Sequence, residues 1–275
     1  MTSPMLAATI RTEDDLPAFP LLATPKIDGV RALIVGGALV TRSLKLIPNR
    51  RIRAVLEPLL PEGADGEIFC GDLYTTTSTV MSFGAEEGFR FFWFDWAYDV
   101  DAPYTKRVSS IEGYVAVHET NPRYVTPLTP RTVRNLGELR AYERCVVEDG
   151  FEGLVLRVPG GRYKSGRSTL REGLMMKLKR YEDSEATIIG MEELVHGVGA
   201  RAGMRGDTLG SIVARAPNGT VFRIGTGYTA DQRSALWANR LELTGKKVKY
   251  RHADRGSKDR PRSPVFMGIR HEEDT

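Results

Sequence analysis

Six aromatic side chains in eight residues, Phe89-Arg90-Phe91-Phe92-Trp93-Phe94-Asp95-Trp96, constrain this chain more than any other stretch. Aromatics are only 8% of the sequence, so the run is a concentration, and a strand built from it needs a covered face. Period-two alternation puts Phe92, Phe94 and Trp96 on one face. Most such strands are simply core, but an aromatic at the strand end beside Asp95 can also stack on a nucleobase.

Around this run the chain reads as short apolar segments broken by glycine. With 28 Gly and 15 Pro in 275 residues, turns prevail over long helical bundles. Phe19 to Ala23 and Ala32 to Val35 read as strands, with Gly36-Gly37 as a hairpin signal. Pro48-Asn49 opens a helix carrying Ile52, Val55, Leu56 and Leu59 at helical spacing. Pro103 to His118 and Thr132 to Asp149 read as two more helices. Ala64 to Phe69, Phe151 to Arg157 and Leu174 to Lys179 read as further strands, and Tyr181 to Ser184 as a hinge. Beyond it come five short strands, at Ala186 to Glu192, Ser211 to Ala216, Val221 to Ile224, Lys246 to Arg251 and Val265 to Ile269. One helix intervenes near Thr229 to Leu241. That pattern suits an OB-type barrel. Two domains are expected, residues 1–182 and 183–275.

The hexapeptide Lys26-Ile27-Asp28-Gly29-Val30-Arg31 lies between the first two strands. In extended backbone Lys26 and Asp28 share a face. A lysine beside other cations in a partly dry pocket loses its proton more readily than its free value of about 10.4 implies, and becomes a nucleophile. Gly29 permits close approach of a ligand. An ordinary strand end reads the same way. Asp65 and Glu67 supply carboxylates for a ligand hydroxyl or a metal, or are turn acids in water. Glu152 opens an apolar strand. The loop Gly160 to Thr169 holds Arg162, Lys164 and Arg167 among glycines and hydroxyls, a composition suited to phosphate. Lys177 and Lys179 stand at i and i+2 on one strand face, which is costly unless an anion lies between them.

Net charge is +4 and the pI about 9.0. The segment Lys246 to Arg262 carries Lys246, Lys247, Lys249, Arg251, Arg255, Lys258, Arg260 and Arg262 against Asp254 and Asp259 alone. Its local charge exceeds that of the whole chain, and backbone phosphates are its natural partner. Two cysteines exclude a disulfide framework or a four-cysteine zinc site. They fit buried thiols in a reducing compartment. The four histidines lack metal-ligand spacing. No stretch approaches the roughly 18 apolar residues of a membrane span. Met1 to Asp15 lacks a secretory pattern, so a cytoplasmic protein is expected.

In their order these segments resemble the ATP-dependent DNA ligases of the covalent nucleotidyltransferase superfamily, over nearly the whole chain and most like the small two-domain enzymes of phages and viruses. The resemblance is carried by Lys26-Ile27-Asp28-Gly29-Val30-Arg31, Asp65-Gly66-Glu67, Trp93-Phe94-Asp95, Glu152-Gly153-Leu154-Val155-Leu156-Arg157, Lys177-Leu178-Lys179 and the closing Pro264 to Arg270 strand. It implies an α+β chain: a nucleotidyltransferase (adenylation) domain of antiparallel sheets with flanking helices, then an all-β OB-fold domain. It implies ATP as AMP donor, Mg²⁺, nicked double-stranded DNA as partner and a monomer. By the resemblance Lys26 is the nucleophile and Lys177 and Lys179 hold the α-phosphate. Glu67 binds ribose or helps place metal, and Asp28 and Glu152 orient Mg²⁺. Phe94 stacks on adenine, while Arg31 and Arg42 contact ribose, phosphates or the nick 5′-phosphate. Lys164, Arg167, Lys246, Lys247, Lys249, Arg251, Arg255 and Lys258 meet DNA. Arg157 stands where the family often has lysine. A capping guanylyltransferase or RNA ligase of the same superfamily, or a non-catalytic nucleic-acid-binding protein, is the alternative.

Overall fold

The computed structural model describes residues 3–84, 88–118, 120–179, 182–195, 203–255 and 260–270. Lys258 lies outside the described residues, as do the side chains of Lys179 and Arg255. The chain forms two compact units, Met1–Lys179 and Arg180–Thr275.

The first unit begins with β1 (Met5–Leu6), β2 (Ala8–Ile10), β3 (Leu21–Pro25), β4 (Val30–Val35), β5 (Ala38–Thr41), α1 (Arg50–Leu56), β6 (Ala64–Phe69) and α2 (Leu73–Met81). It continues through β7 (Arg90–Trp96), α3 (Tyr104–Val117), β8 (Val125–Pro127), β9 (Arg131–Val133), α4 (Leu136–Glu148), β10 (Gly153–Arg157), β11 (Gly166–Arg167) and β12 (Met176–Lys179). Two five-stranded sheets result, ordered β2-β12-β10-β3-β9 and β5-β4-β6-β7-β8, with β1-β11 as a separate pair. The helices start where their caps dictate: Asn49, Asp72 and Asn135 accept from the backbone N–H of Ile52, Thr75 and Glu138, filling donors that a first turn leaves open.

Strand β7 puts Phe91 and Trp93, both buried, into a core with Ile34, Leu39, Ile52, Leu56 and Ile68. Full burial of a phenylalanine contributes about 1.5–3 kcal/mol. Its other face carries Phe92 and Phe94. The expected alternation stops there. A bulge sets Gly66 opposite Trp93 but Asp65 opposite Asp95, so β7 carries one extra residue. Trp96 therefore packs with Trp93 and Tyr114, at 5.5 and 5.6 Å between ring centroids, instead of continuing the Phe92–Phe94 face.

The N-terminal strands were not legible in the sequence. Met5, Ala8 and Ile10 are buried, but the runs are too short to show a period. They form because β11 and β12 each take a parallel partner there. Short strand β8 and helix α2 were likewise not expected.

The second unit comprises β13 (Glu182–Val195), β14 (Arg205–Arg215), β15 (Val221–Ile224), α5 (Ala230–Ala238), α6 (Arg240–Leu243), β16 (Lys247–Arg255) and β17 (Pro261–Ile269). The strand order is β15-β14-β13-β16-β17. A bridge between Thr226 and Val265 and the bond from Phe266 N to Thr226 O (2.8 Å) join the two edges, closing a small five-stranded barrel. Its core is Ile188, Ile212, Ile224, Val248 and Phe266, covered by Leu236 of α5. Residues Glu182 to Ser184 are not a free hinge. They begin β13 and pair with Tyr250 to His252 of β16. Tyr181 lies outside the described residues.

Candidate active site

Strand β3 ends at Pro25, and the Lys26 N–H continues its ladder to Gly153 O at 2.8 Å. That bond seats Lys26 against the start of β10. Its Nζ forms an ion pair with the Glu152 carboxylate, and the side chain is 22% exposed. The sequence predicts cations around this lysine; its direct charged contact is an acid. Gly29 is explained differently from the expectation too. A Cβ there would stand 2.1 Å from the backbone oxygen of Ile68, so the close approach is of strand β6, not of a ligand. Gly29→Ala must push β4 off β6. Overpacking of this kind costs about 1–3 kcal/mol, and the expected result is a lower melting temperature together with slower modification of Lys26, checked by thermal unfolding and active-site labelling.

A cavity of about 220 Å³ opens beside Lys26. Its lining includes Thr24, Arg31, Arg42, Glu67, Phe94, Arg167 and Lys177. Residues scattered over 150 positions thus share one space. Leu6, Ala7 and Met175 close it with apolar surface, and the first two come from the N-terminal segment that carried no readable signal.

The charges are ordered by a buried network. Arg31 donates from Nε and Nη2 to Asp65 at 2.8 and 2.6 Å, and from Nη1 to Met5 O at 2.6 Å. Burial works against its charge, but Asp65 outweighs burial and raises its pKa. Tyr163 also donates to Asp65, at 2.7 Å. Behind them Asp95 accepts from Arg107 Nε at 2.7 Å and from Arg157. Asp95, Arg107 and Arg157 are 0, 2 and 2% exposed. Burial alone would raise the Asp95 pKa; the two guanidiniums reverse that and lower it. The ring of Phe94 is held by two cations, with Arg31 Cζ at 5.3 Å and Arg157 Cζ at 5.8 Å from its centroid. Asp95, Arg107 and Tyr163 were not singled out as site residues. Asp95 had a signal, a carboxylate after an aromatic run; Arg107 had none.

Glu67 faces the same cavity. Its pKa is pushed up to about 7, chiefly by burial and further by Asp65 and Asp28, while Lys26 and Arg31 pull it down. A raised carboxyl is favoured protonated in the folded state. It therefore costs stability progressively as the pH rises from 4.5 toward about 7.

The expected metal ligands do not form a ready cage. Among the described residues no group of three or more His, Cys, Asp or Glu is placed to hold an ion. Glu152 is engaged with Lys26, and Asp28 acts on Glu67 electrostatically. Crowded acids beside a cavity fit Mg²⁺ in another way, since this ion is commonly held by one or two carboxylates plus substrate phosphates.

Of the expected DNA contacts in this unit, Arg42 and Arg167 border the cavity. Lys164 instead contacts both carboxylate oxygens of Glu172 at 2.8 Å; that bond, with those from Thr169, holds Glu172 down at about 2. In the barrel, Lys247, Lys249 and Arg251 alternate with buried Val248, Tyr250 and His252 and so share its outer face. Asp183 lies 3.9 Å from Lys249 and 3.1 Å from Arg251, which tempers the charge. Lys247 donates to Thr187 Oγ1 at 3.2 Å, and Lys246 borders a groove with Leu243 and Met267.

A sequence profile of the DNA ligase OB-like domain matches residues 202–270. Comparison with curated proteins gave no match. Among solved structures, the Chlorella virus DNA ligase-adenylate is 40% identical, with 98% of this chain and 100% of that one covered and a TM-score of 0.63. A second crystal structure of Chlorella virus DNA ligase-adenylate is 43% identical, with 99% of each chain covered and a TM-score of 0.62. A Lig E DNA ligase, 23% identical with 98% and 100% covered, shares the fold at a TM-score of 0.79. With 40% identity over 98% of its length and a ligase OB-like domain in its second unit, the chain belongs to the ATP-dependent DNA ligases.

Proposed function

We propose that this ligase seals 5′-phosphate/3′-hydroxyl nicks in duplex DNA through a lysyl-AMP at Lys26, with ATP as the nucleotide donor. One observation carries the assignment: Lys26, Glu67, Phe94 and Lys177 line a single cavity. ATP chemistry of this kind needs alignment and charge neutralisation more than covalent machinery.

Adenine stacks on the Phe94 ring, which the two guanidiniums hold still. Lys177, with Lys179 on the same strand, neutralises the α-phosphate. Glu152, already on Nζ, accepts the proton that Lys26 must shed. The free amine attacks the α-phosphorus, the bond to the β-phosphate oxygen breaks, and pyrophosphate leaves. The AMP then passes from Lys26 Nζ to the 5′-phosphate of the nick. The 3′-hydroxyl attacks that phosphate, forming the phosphodiester and expelling AMP. Glu67, Asp28 or Glu152, together with the substrate phosphates, would hold Mg²⁺, which would supply further charge neutralisation. Arg42 and Arg167 receive the nick 5′-phosphate, and the outer face of β16 tracks the duplex backbone. The enzyme works as a monomer in the cytoplasm; Cys70 is part-buried and Cys145 exposed, not the buried pair that the sequence leads one to expect.

The test is incubation with α-labelled ATP and Mg²⁺ followed by denaturation. The expected result is an acid-labile, base-stable AMP adduct, formed from ATP and not from GTP. Labelling by GTP alone would make the protein a capping-type enzyme, and binding of nicked DNA without any adduct would make it non-catalytic.

Glu67 adds a pH signature. In the metal-free protein the Glu67 carboxyl ionises as the pH passes through about 7, and its ionised form accepts from ribose, so nucleotide binding measured without Mg²⁺ rises over that range. In Glu67→Gln that inflection disappears and binding is weak throughout. A wild-type inflection that persisted in the variant would remove Glu67 from this role.

A further inference from the structure

The face of the β4-β6-β7 sheet that carries Glu67 does not end at the adenylate pocket. Glu67 pairs across to Phe92, and two residues on Phe69 pairs across to Arg90. Phe69 and Phe92 are half-buried, with rings 6.4 Å apart. They border a separate cavity of about 400 Å³ together with Arg90, Arg123, Gly71 and Gly88.

Three features of this cavity point to one class of ligand. The exposed Arg90 guanidinium lies 6.0 Å from the Phe92 ring centroid, and Arg123 lies 5.6 Å from that of Tyr124. Stacking of this kind fixes a guanidinium while leaving its edge donors open. Neither arginine has an ion-pair partner among the described residues. The rim is also bare among the described residues: Gly71 and Gly88 have φ of 98° and 96°, and none of those residues stands within 4 Å of where a Cβ would be. Positive φ disfavours any other residue there. Two open cations above an apolar aromatic floor suit a sugar-phosphate chain, in which charge and apolar surface alternate, better than a small free anion.

We infer that Phe69, Phe92, Arg90 and Arg123 form a backbone subsite for the polynucleotide substrate, beyond the adenylate pocket; the inference rests on the ligase reading of that pocket. Two residues along β6 are about 7 Å. Phosphates on one strand advance about 3.4 Å each along the duplex axis. The subsite therefore lies within about one or two phosphates of the point that Glu67 faces.

The test compares wild type with R90Q/R123Q and R90K/R123K. AMP-adduct formation needs no DNA and should be equal in all three within about twofold. Binding of a nicked, 5′-phosphorylated duplex is then measured over a range of salt without ATP. Two lost phosphate contacts should flatten the slope of log K against log salt by about 1.8 and weaken binding at low salt by about tenfold or more. The lysine pair keeps the charges and should restore the slope. An unchanged slope in R90Q/R123Q overturns the subsite while leaving the ligase reading intact. So does equal flattening in the lysine pair, or loss of adduct formation in the glutamine pair. Preference for an acidic peptide over the duplex overturns it in favour of a protein partner. No adduct in wild type overturns the ligase reading itself, and the subsite with it.

Discussion

Lys26→Ala forms no AMP adduct and loses nick sealing by a factor of about 10⁴ or more, the scale on which removal of a covalent nucleophile acts. The expectation follows from the geometry. Lys26 is the cavity-lining amine fixed by backbone to the start of β10, and Lys177 stands on a different strand of the same sheet. A neighbouring lysine cannot substitute without moving its strand. The same variant should still seal a nick that already carries AMP on its 5′-phosphate, because the last transfer breaks a bond Lys26 never forms. Labelled ATP in one assay and pre-adenylylated DNA in the other separate the two steps. Retained labelling in Lys26→Ala would move the nucleophile elsewhere. Loss of both activities would mean that alanine had disturbed the fold.

Asp95→Ala lowers stability by about 3–5 kcal/mol, because it strands Arg107 and Arg157 as buried cations without their shared carboxylate. For the first unit that is a fall in melting temperature of about 6–20 °C. Function should fail ahead of folding. Arg157 is one of two cations that hold Phe94, so the variant should show a raised KM for ATP even well below its melting temperature. The pH sense is fixed by the lowered pKa of Asp95. Its stabilisation is complete above its ordinary value near 3.8 and fades only as the pH falls through the lower folded value. A melting temperature within about 2 °C of wild type would show that the network is not holding the floor of the site.

Much of the site was legible residue by residue. Lys26, Glu67, Phe94, Glu152 and Lys177 each stood out because the chemistry placed a charge or an aromatic ring where a plain strand needs none. The barrel was legible for another reason. Val221 to Ile224 and its neighbours are short, apolar and bounded by turns, and period two survives in five residues. Met5 to Ile10 failed on the same ground, since two and three residues are too few to show a period. Trp96 failed because alternation assumes an unbroken register, and one bulge after Trp93 reverses it.

Single positions and their order already carry the family of covalent nucleotide transfer and mark charges and rings that a plain strand does not need. What each charge does is set by contacts that form on folding. Lys164 belongs to Glu172, Arg157 to Asp95, and the room at Gly29 to strand β6. The reason is physical. A charge or a missing Cβ is local and can be read from one position. The partner that satisfies it comes from sheet pairing between segments far apart in the chain, such as Met176 with Ala8, which also brings Arg31 to Met5 and Arg167 to Ala7, and no local pattern encodes which of many available partners the folded register brings within hydrogen-bonding distance.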